Sequence, residues 1–214
     1  MAETMTLTID GETVETTEGT SVLAAALEAG ICIPNLCLLP GAEPIGACRV
    51  CLVEVERNGR TKMTASCTLD AKEGMVIHAH SDNVLRARRN MVELLLAEVP
   101  ESPVIQTLAE RLEVDEVRYT EREEDCILCG RCVAACAFVA GAGTKGFIGR
   151  GHQRHIGLPF YNEKYCQKCD ECHERCPLEI EPVSKRGKPG GVCGSELSKN
   201  DEIPEICADC LLEQ

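Results

Sequence analysis

The sequence predicts an α+β fold in which two small cysteine-rich units are joined by a helix. The first observation behind this prediction is a succession of strands, a helix, a loop and further strands in the first eighty residues. The second is a run of four cysteines that occurs twice after residue 120. The third is the composition, because 16 cysteines accompany only 3% aromatic residues and no tryptophan. A chain with so little bulk for a core needs another source of stability, and metal ligation provides one.

The first unit, residues 1–80, is predicted to be a β-grasp domain. The segments MTLTI and ETVETT have the residue types of two strands, and Asp10-Gly11 between them is typical of a tight hairpin turn. A helix with the sequence VLAAALEA follows, and then a loop rich in proline and glycine over 33–46. Alternating apolar residues over 49–57 and two later strand-like segments complete the pattern.

Residues 81–120 are predicted to be a helical connector. Apolar residues recur at helical spacing from Ser81, a suitable N-cap, until Pro100 interrupts them. Three arginines lie on this helix: Arg86, Arg88 and Arg89. We interpret them as a solvated face, and binding to an acidic partner is the alternative.

Residues 121–182 contain the cysteine repeat. Its C-x2-C-x2-C-x3-C spacing is typical of bacterial ferredoxins, in which three thiolates of one run bind one [4Fe–4S] cluster and the fourth binds the other. The first expected ligand set is Cys126, Cys129, Cys132 and Cys176. The second is Cys166, Cys169, Cys172 and Cys136. Zinc is the alternative, although structural zinc sites usually pair C-x2-C motifs around one ion.

A further set of four cysteines lies in the first unit, with the spacing C-x10-C-x2-C-x15-C. This set consists of Cys37, Cys48, Cys51 and Cys67. Apart from a longer first loop, this spacing matches the plant-type [2Fe–2S] pattern C-x4-C-x2-C…C. We therefore expect one [2Fe–2S] cluster here. A zinc site or free thiols are the alternatives. Cys32 follows an apolar residue, and we interpret it as buried packing and not as a ligand.

The tail, residues 183–214, contains three more cysteines: Cys193, Cys207 and Cys210. Three thiolates are one short of a closed site, so zinc, a further cluster and free thiols all stay open. The tail is therefore predicted only as a possible extra metal site.

Charge and hydropathy restrict the partners. The formal charge of −13 argues against nucleic acid and anionic membrane surfaces, which attract basic proteins. No apolar stretch approaches the roughly 20 residues that cross a bilayer, and the N-terminus lacks the features of a secretory signal. We therefore expect a cytoplasmic chain with protein partners, no nucleic acid and no direct membrane insertion.

Several segments carry a family resemblance. The stretches IPNLCLLPGAEPIGACRVCLVEVE, ASCTLDAKEGM and MVELLLAEVP resemble the N-terminal part of the large iron–sulfur subunit of NADH dehydrogenase. The same pattern occurs in the small diaphorase subunit of NAD-reducing hydrogenases, in iron-only hydrogenases and in NAD-linked formate dehydrogenases. DCILCGRCVAAC and GFIGRGHQRHIGLPF are similar to the same proteins, so the resemblance covers about residues 5–180.

The resemblance implies an electron relay between a flavoprotein that binds NAD(H) and a separate catalytic subunit. It also implies a departure, because the family usually has a further cubane, held by one His and three Cys, after the connector helix. The aligned positions here are Val99-Pro100, Pro103 and Gln106, which cannot ligate iron. We expect that cluster to be absent.

No paired carboxylates, phosphate-binding loop or nucleophile elbow occurs in the sequence, so we expect no catalytic site in this chain. The prediction is an electron-transfer subunit of an NAD-linked oxidoreductase that carries one [2Fe–2S] and two [4Fe–4S] clusters. The alternatives are a non-redox scaffold built on zinc or iron–sulfur sites, and a small subunit of a hydrogenase or formate dehydrogenase coupled directly to ferredoxin.

Overall fold

A computed structural model describes residues 4–57, 59–122, 124–159, 166, 169–178 and 180. The first unit is built on a mixed five-stranded sheet with the order β2-β1-β5-β3-β4. Its strands are β1 (Thr4–Ile9), β2 (Glu12–Thr17), β3 (Leu52–Arg57), β4 (Arg60–Ala65) and β5 (Val76–His78). Strand β5 is parallel to β1 and antiparallel to β3, and the other pairs are antiparallel. The α+β class is therefore confirmed.

The hairpin and the first helix form where the sequence predicts them. Asp10 and Gly11 both have positive φ angles, 49° and 89°, which matches the backbone twist of a two-residue hairpin turn. Helix α1 (Val22–Glu28) begins after Ser21, whose Oγ accepts a hydrogen bond from the backbone N–H of Ala24 at 3.2 Å. This cap satisfies one of the free N–H groups at the start of the helix.

A first hydrophobic core fills the space between α1 and the sheet. Alternate residues of the strands point into it, as the two-residue period of a half-buried strand requires. Its fully or almost fully buried members include Leu7, Ile9, Val22, Leu23, Val53 and Ile77. Two of the predicted ligands, Cys51 and Cys67, belong to the same core.

The connector contains two helices. The predicted helix is present as α2 (Asp82–Glu98), which Ser81 caps by accepting a hydrogen bond from the N–H of Val84 at 3.3 Å. A second helix, α3 (Pro103–Arg111), was not expected and packs against α2. None of the described helices has the length and hydrophobicity of a membrane-spanning segment.

The interpretation of the three connector arginines is wrong for one of them. Arg88 is only 1% exposed, and its guanidinium donates hydrogen bonds to the carbonyl oxygens of Val50 at 3.2 Å and Leu52 at 2.9 Å. Burial lowers the pKa of Arg88 to about 10, which still leaves it charged at neutral pH. Arg86 is exposed, as expected.

The part with the cysteine repeat has short elements. They are α4 (Arg131–Ala134), which continues as a π-helical turn over Ala135–Val139, then β6 (Gly146–Ile148), β7 (His155–Gly157) and α5 (Glu171–Glu174). Strands β6 and β7 form a small antiparallel hairpin, and α4 packs against α5. The tail prediction, with Cys193, Cys207 and Cys210, lies outside the described residues.

Candidate metal centres

The structure brings together the four cysteines of the first unit. Cys37 and Cys48 lie on the long loop between α1 and β3, Cys51 directly precedes β3, and Cys67 lies in the helical turn after β4. All four are buried, with exposed fractions between 0% and 5%. Ser66 connects two of these positions, because its Oγ and its backbone N–H both donate to the carbonyl oxygen of Cys51, at 2.8 and 2.9 Å.

The sulfur atoms of this set are close enough to share protons. Hydrogen bonds from Cys48 and Cys67 hold the pKa of the Cys37 thiol well below its ordinary value, and Cys67 lowers the pKa of Cys51 to about 6. Contact with Cys37 raises the pKa of both Cys48 and Cys67. Hydrogen bonds between sulfurs therefore link all four thiols, in the order Cys48, Cys37, Cys67 and Cys51. Metal binding replaces such shared protons, because thiolates are the ligands.

The loop between α1 and β3, which contains Cys37 and Cys48 and which we call the ligand loop, directs backbone N–H groups at sulfur. The N–H groups of Ala47 and Cys48 lie next to the sulfur of Cys37 and help to lower its pKa. Arg49, directly after Cys48, has a φ angle of 59°, a left-handed conformation that costs a non-glycine residue of order 1–3 kcal/mol. Four buried thiols with N–H groups directed at sulfur are the donor set that a [2Fe–2S] cluster needs.

The first cysteine run is arranged around a similar turn. The backbone N–H of Leu128 donates to the sulfur of Cys126 at 3.3 Å, and Leu128 itself has a φ angle of 53°. Burial raises the pKa of Cys129 to about 12 and that of Cys132 to about 11. Cys176 raises these pKa values further through its charge, so it lies near this run and not only near its own sequence neighbours. The four thiols predicted as the first cubane set are thus neighbours.

The second set surrounds a cavity. Its lining includes the four predicted ligands Cys136, Cys166, Cys169 and Cys172. Cys136 comes from the first run and the others from the second, which is the exchange that the ferredoxin pattern predicts. Thr144 and Lys145 line the same cavity.

Thr144 and Lys145 make close contacts with three sulfurs of the second set. Both backbone N–H groups donate to the sulfur of Cys136, at 3.3 and 3.4 Å, and the Thr144 hydroxyl lies 3.1 Å from the sulfur of Cys166. The Nζ of Lys145 donates to the sulfur of Cys172 at 3.0 Å. Burial alone would raise the pKa of Cys136, but these donors lower it. Sequence reasoning missed both residues, because nothing in their local pattern indicates contact with cysteines on both sides.

A second hydrophobic core joins the first unit to the first cysteine run. Cys37 and Cys48 belong to it together with Val92 of α2, Ile105 of α3 and Cys129. Its further members are Leu36, Val50, Val99, Leu108, Ala109 and Ile127. The core therefore crosses the boundaries that the sequence suggests at residues 80 and 120.

The positions that align with the family's His-ligated site lie in this core and in α3. Val99 is 2% exposed, and the side-chain amide of Gln106 donates to the carbonyl oxygen of Pro100 at 2.7 Å. Within the described ranges, no three Cys, His, Asp or Glu side chains are grouped as ligands of one metal ion. That finding concerns single-ion sites, because an iron–sulfur cluster distributes its thiolates over several iron atoms.

Comparisons with known proteins agree with this geometry. Residues 2–82 match a family described as a 2Fe-2S iron-sulfur cluster binding domain. The chain is 33% identical to the NADP-reducing hydrogenase subunit HndD of Solidesulfovibrio fructosivorans, over 81% of this chain and 35% of the relative. It is 31% identical to the mitochondrial NADH-ubiquinone oxidoreductase 78 kDa subunit of Candida albicans, over 94% of this chain and 31% of the relative. The chain thus spans about a third of the length of these curated relatives.

A solved structure is similar over most of its own length. It is a chain in the crystal structure of an NAD+-reducing [NiFe]-hydrogenase in the H2-reduced state, with a TM-score of 0.64 and 30% identity. The match covers 72% of this chain and 75% of that chain. The resemblance found in the sequence is confirmed. This chain belongs to the family of iron–sulfur subunits that includes the 78 kDa subunit of NADH-ubiquinone oxidoreductase and a chain of an NAD+-reducing [NiFe]-hydrogenase.

Proposed function

We propose that this chain is the electron-transfer subunit of a larger NAD(P)H-linked oxidoreductase. It relays electrons between a flavoprotein subunit that binds NAD(H) and a separate catalytic subunit. Its relatives are named as subunits of such complexes, which supports the class of the assembly and the existence of partner subunits. In this proposal the substrate chemistry takes place in other chains, and this chain transfers the electrons between them.

The proposed cofactors are one [2Fe–2S] and two [4Fe–4S] clusters. Each would take up and release one electron at a time. The [2Fe–2S] ligands are Cys37, Cys48, Cys51 and Cys67. The first cubane is assigned to Cys126, Cys129, Cys132 and Cys176, and the second to Cys166, Cys169, Cys172 and Cys136. The cavity that Cys136 shares with three cysteines of the second run supports this exchange of ligands.

The main support for the proposed relay is a hydrophobic core that two of the proposed ligand sets share. Cys37 and Cys48 of the [2Fe–2S] set and Cys129 of the first cubane set belong to one cluster of buried residues. On its surface, Ile45 of the ligand loop comes close to Gly130, where an added Cβ would lie 2.6 Å from Ile45 Cδ1. Electron tunnelling falls steeply with distance, so close packing of these two sets favours direct transfer without the His-ligated station.

The residues of this chain have three tasks in the relay. The cysteines hold the clusters, and the backbone N–H groups at Ala47, Cys48 and Leu128 donate to their sulfurs, which favours added negative charge. The apolar side chains of the shared core exclude water. A low dielectric and fixed N–H dipoles together set the reduction potential, while little of the structure has to move when an electron arrives.

The relay is tested by reduction with NADH. The purified chain alone, kept under anaerobic conditions and free of flavin, should show clusters that dithionite reduces but NADH does not. Addition of the flavoprotein subunit from the same complex should make the clusters reducible by NADH, followed as bleaching of their visible absorption. Rapid oxidation of NADH by the isolated chain would contradict the proposal, because it would require a nicotinamide site in this chain.

The ligand exchange is tested by Cys136→Ala. This substitution should damage the cluster bound by the second run, although Cys136 lies in the first run. Electron paramagnetic resonance of the reduced variant should show loss or conversion of one cubane signal, with the [2Fe–2S] signal intact. Cys32→Ala is the matched control, because Cys32 is not in any proposed ligand set, and it should retain every signal. Damage confined to the cluster of Cys126 and its neighbours would refute the exchange.

A further inference from the structure

Lys145 is a cation at hydrogen-bond distance from the second set of cysteines. Its Nζ lies 3.0 Å from the sulfur of Cys172, and its backbone N–H lies 3.4 Å from the sulfur of Cys136. The preceding residue, Thr144, is 8% exposed and contacts the sulfurs of Cys136 and Cys166 through its hydroxyl, at 3.4 and 3.1 Å. Three of the four sulfurs are therefore contacted by two adjacent residues that belong to neither cysteine run.

The charge of Lys145 is directed at sulfur and not at a carboxylate. Among the ion pairs of the described residues, none includes Lys145. A lysine ammonium is positively charged at neutral pH, and that of Lys145 donates its hydrogen bond to the sulfur of Cys172. Cys132 of the first set packs against Cys166 and Cys172, so the charge of Lys145 lies near both proposed cubane sets but is bonded to the second.

We propose that Lys145 is a positioning residue whose ammonium compensates charge at the second cubane set and raises the reduction potential there. The inference rests on the proposed function. Reduction adds one negative charge to a cluster, and a cation at hydrogen-bond distance from a ligand sulfur stabilises the reduced form more than the oxidised form. Partial burial strengthens the effect, because little water screens the charge. The charge of Lys145 thereby favours reduction of the second cubane.

The test compares Lys145→Met, which removes the charge and keeps most of the side-chain volume, with Lys145→Arg, which keeps the charge. The full chain is titrated anaerobically, and each cluster is followed by electron paramagnetic resonance, with the second cubane identified as the signal altered in Cys136→Ala. In Lys145→Met the equilibrium constant for reduction of the second cubane should fall at least tenfold, a shift of about 59 mV for one electron. The first cubane should shift less.

Two comparisons separate charge from structure. Lys145→Arg should keep the potential of the second cubane within about threefold of the parent, about 28 mV by the same relation. Lys62→Met, at an exposed position of β4, should leave all potentials unchanged. If the second cubane assembles in the arginine variant but not in the methionine variant, as judged by iron and sulfide content, the role of the charge is also supported.

Three results would overturn the inference. They are an unchanged potential in Lys145→Met, equal shifts in the methionine and arginine variants, and loss of the second cubane from both. None of them would affect the proposed function, since the clusters of the parent chain would still be present. Conversely, a parent chain without iron and sulfide would remove the proposed function itself.

Discussion

The buried guanidinium of Arg88 should contribute strongly to the stability of the first unit. It lies on helix α2 and donates hydrogen bonds to the carbonyl oxygens of Val50 and Leu52, which flank the proposed ligand Cys51. Replacement by methionine keeps the apolar stem and removes both donors. The two carbonyl oxygens then lose partners that no water can easily replace, because Arg88 and Val50 are at most 1% exposed.

The cost can be worked out from these contacts. Each hydrogen bond to a charged donor contributes about 1.5–3 kcal/mol, so the two bonds set an upper limit of about 3–6 kcal/mol. The variant also avoids burying a charge, which offsets part of this loss. We expect Arg88→Met to lower the free energy of unfolding by about 2–4 kcal/mol. For a chain of this size, that corresponds to a fall in the unfolding midpoint of about 4–16 °C.

The assay is thermal unfolding under argon, with far-UV circular dichroism for the fold and visible absorption for the clusters. Arg86→Met is the matched control, because Arg86 is exposed on the same helix and its guanidinium bonds only to the exposed Asn83 in the contacts described. Its midpoint should move by less than about 2 °C, as expected for a surface change. Equal midpoints for the Arg86 and Arg88 variants would refute the reasoning, since burial is the main difference between them.

Two further predictions concern other contacts. Arg118 donates to the carboxylate of Glu93 and lowers its pKa, so this pair should stabilise the fold above the ordinary pKa of a glutamate, and the stabilisation should be lost as the pH falls through the lowered pKa. The difference in unfolding midpoint between Glu93→Gln and the parent should therefore be largest near neutral pH and should shrink in acid. A midpoint difference independent of pH would count against the pair. Gly130→Ala should destabilise the chain by about 1–3 kcal/mol, because φ is +77° and the new Cβ would lie 2.6 Å from Ile45 Cδ1. Gly141→Ala has a similar φ of +65° but open space around it, so a larger midpoint loss at Gly130 than at Gly141 measures the contact with the ligand loop, and equal losses would show that the contact contributes nothing.

Local chemistry explains what the sequence reveals about the fold. The Asp10-Gly11 turn and the Ser81 cap are each determined by residues within a few positions, so their signals can be recognised without tertiary information. Helix α3 carried such a signal as well. Ser102 and Pro103 are typical of a helix start, and the apolar residues Ile105 and Leu108 follow at helical spacing.

Arg88 illustrates a different difficulty. It lies four residues after Val84 and four before Val92, on the buried face of α2, so its spacing in the sequence indicates burial while its charge suggests solvent. The carbonyl oxygens that accept its hydrogen bonds come from the segment around β3, more than thirty residues earlier in the chain. Tertiary structure therefore decides whether Arg88 is buried or exposed.

The same distinction between local sequence signals and tertiary contacts applies to the candidate sites. Cysteine spacing indicates the ligand sets, because each cluster type requires thiolates at characteristic intervals. The residues that surround the sulfurs follow no such rule. Thr144 and Lys145 reach three sulfurs only because the two runs approach each other in space, and the core that joins Cys37 to Cys129 depends on how α2 and α3 pack.

Iron and acid-labile sulfide, measured per chain after anaerobic purification, test the central claim most directly. One [2Fe–2S] and two [4Fe–4S] clusters predict about ten iron atoms and about ten sulfides, with no stoichiometric zinc. About fourteen iron atoms would contradict the assigned number of clusters and indicate a further cubane. Zinc without sulfide would contradict the electron relay itself.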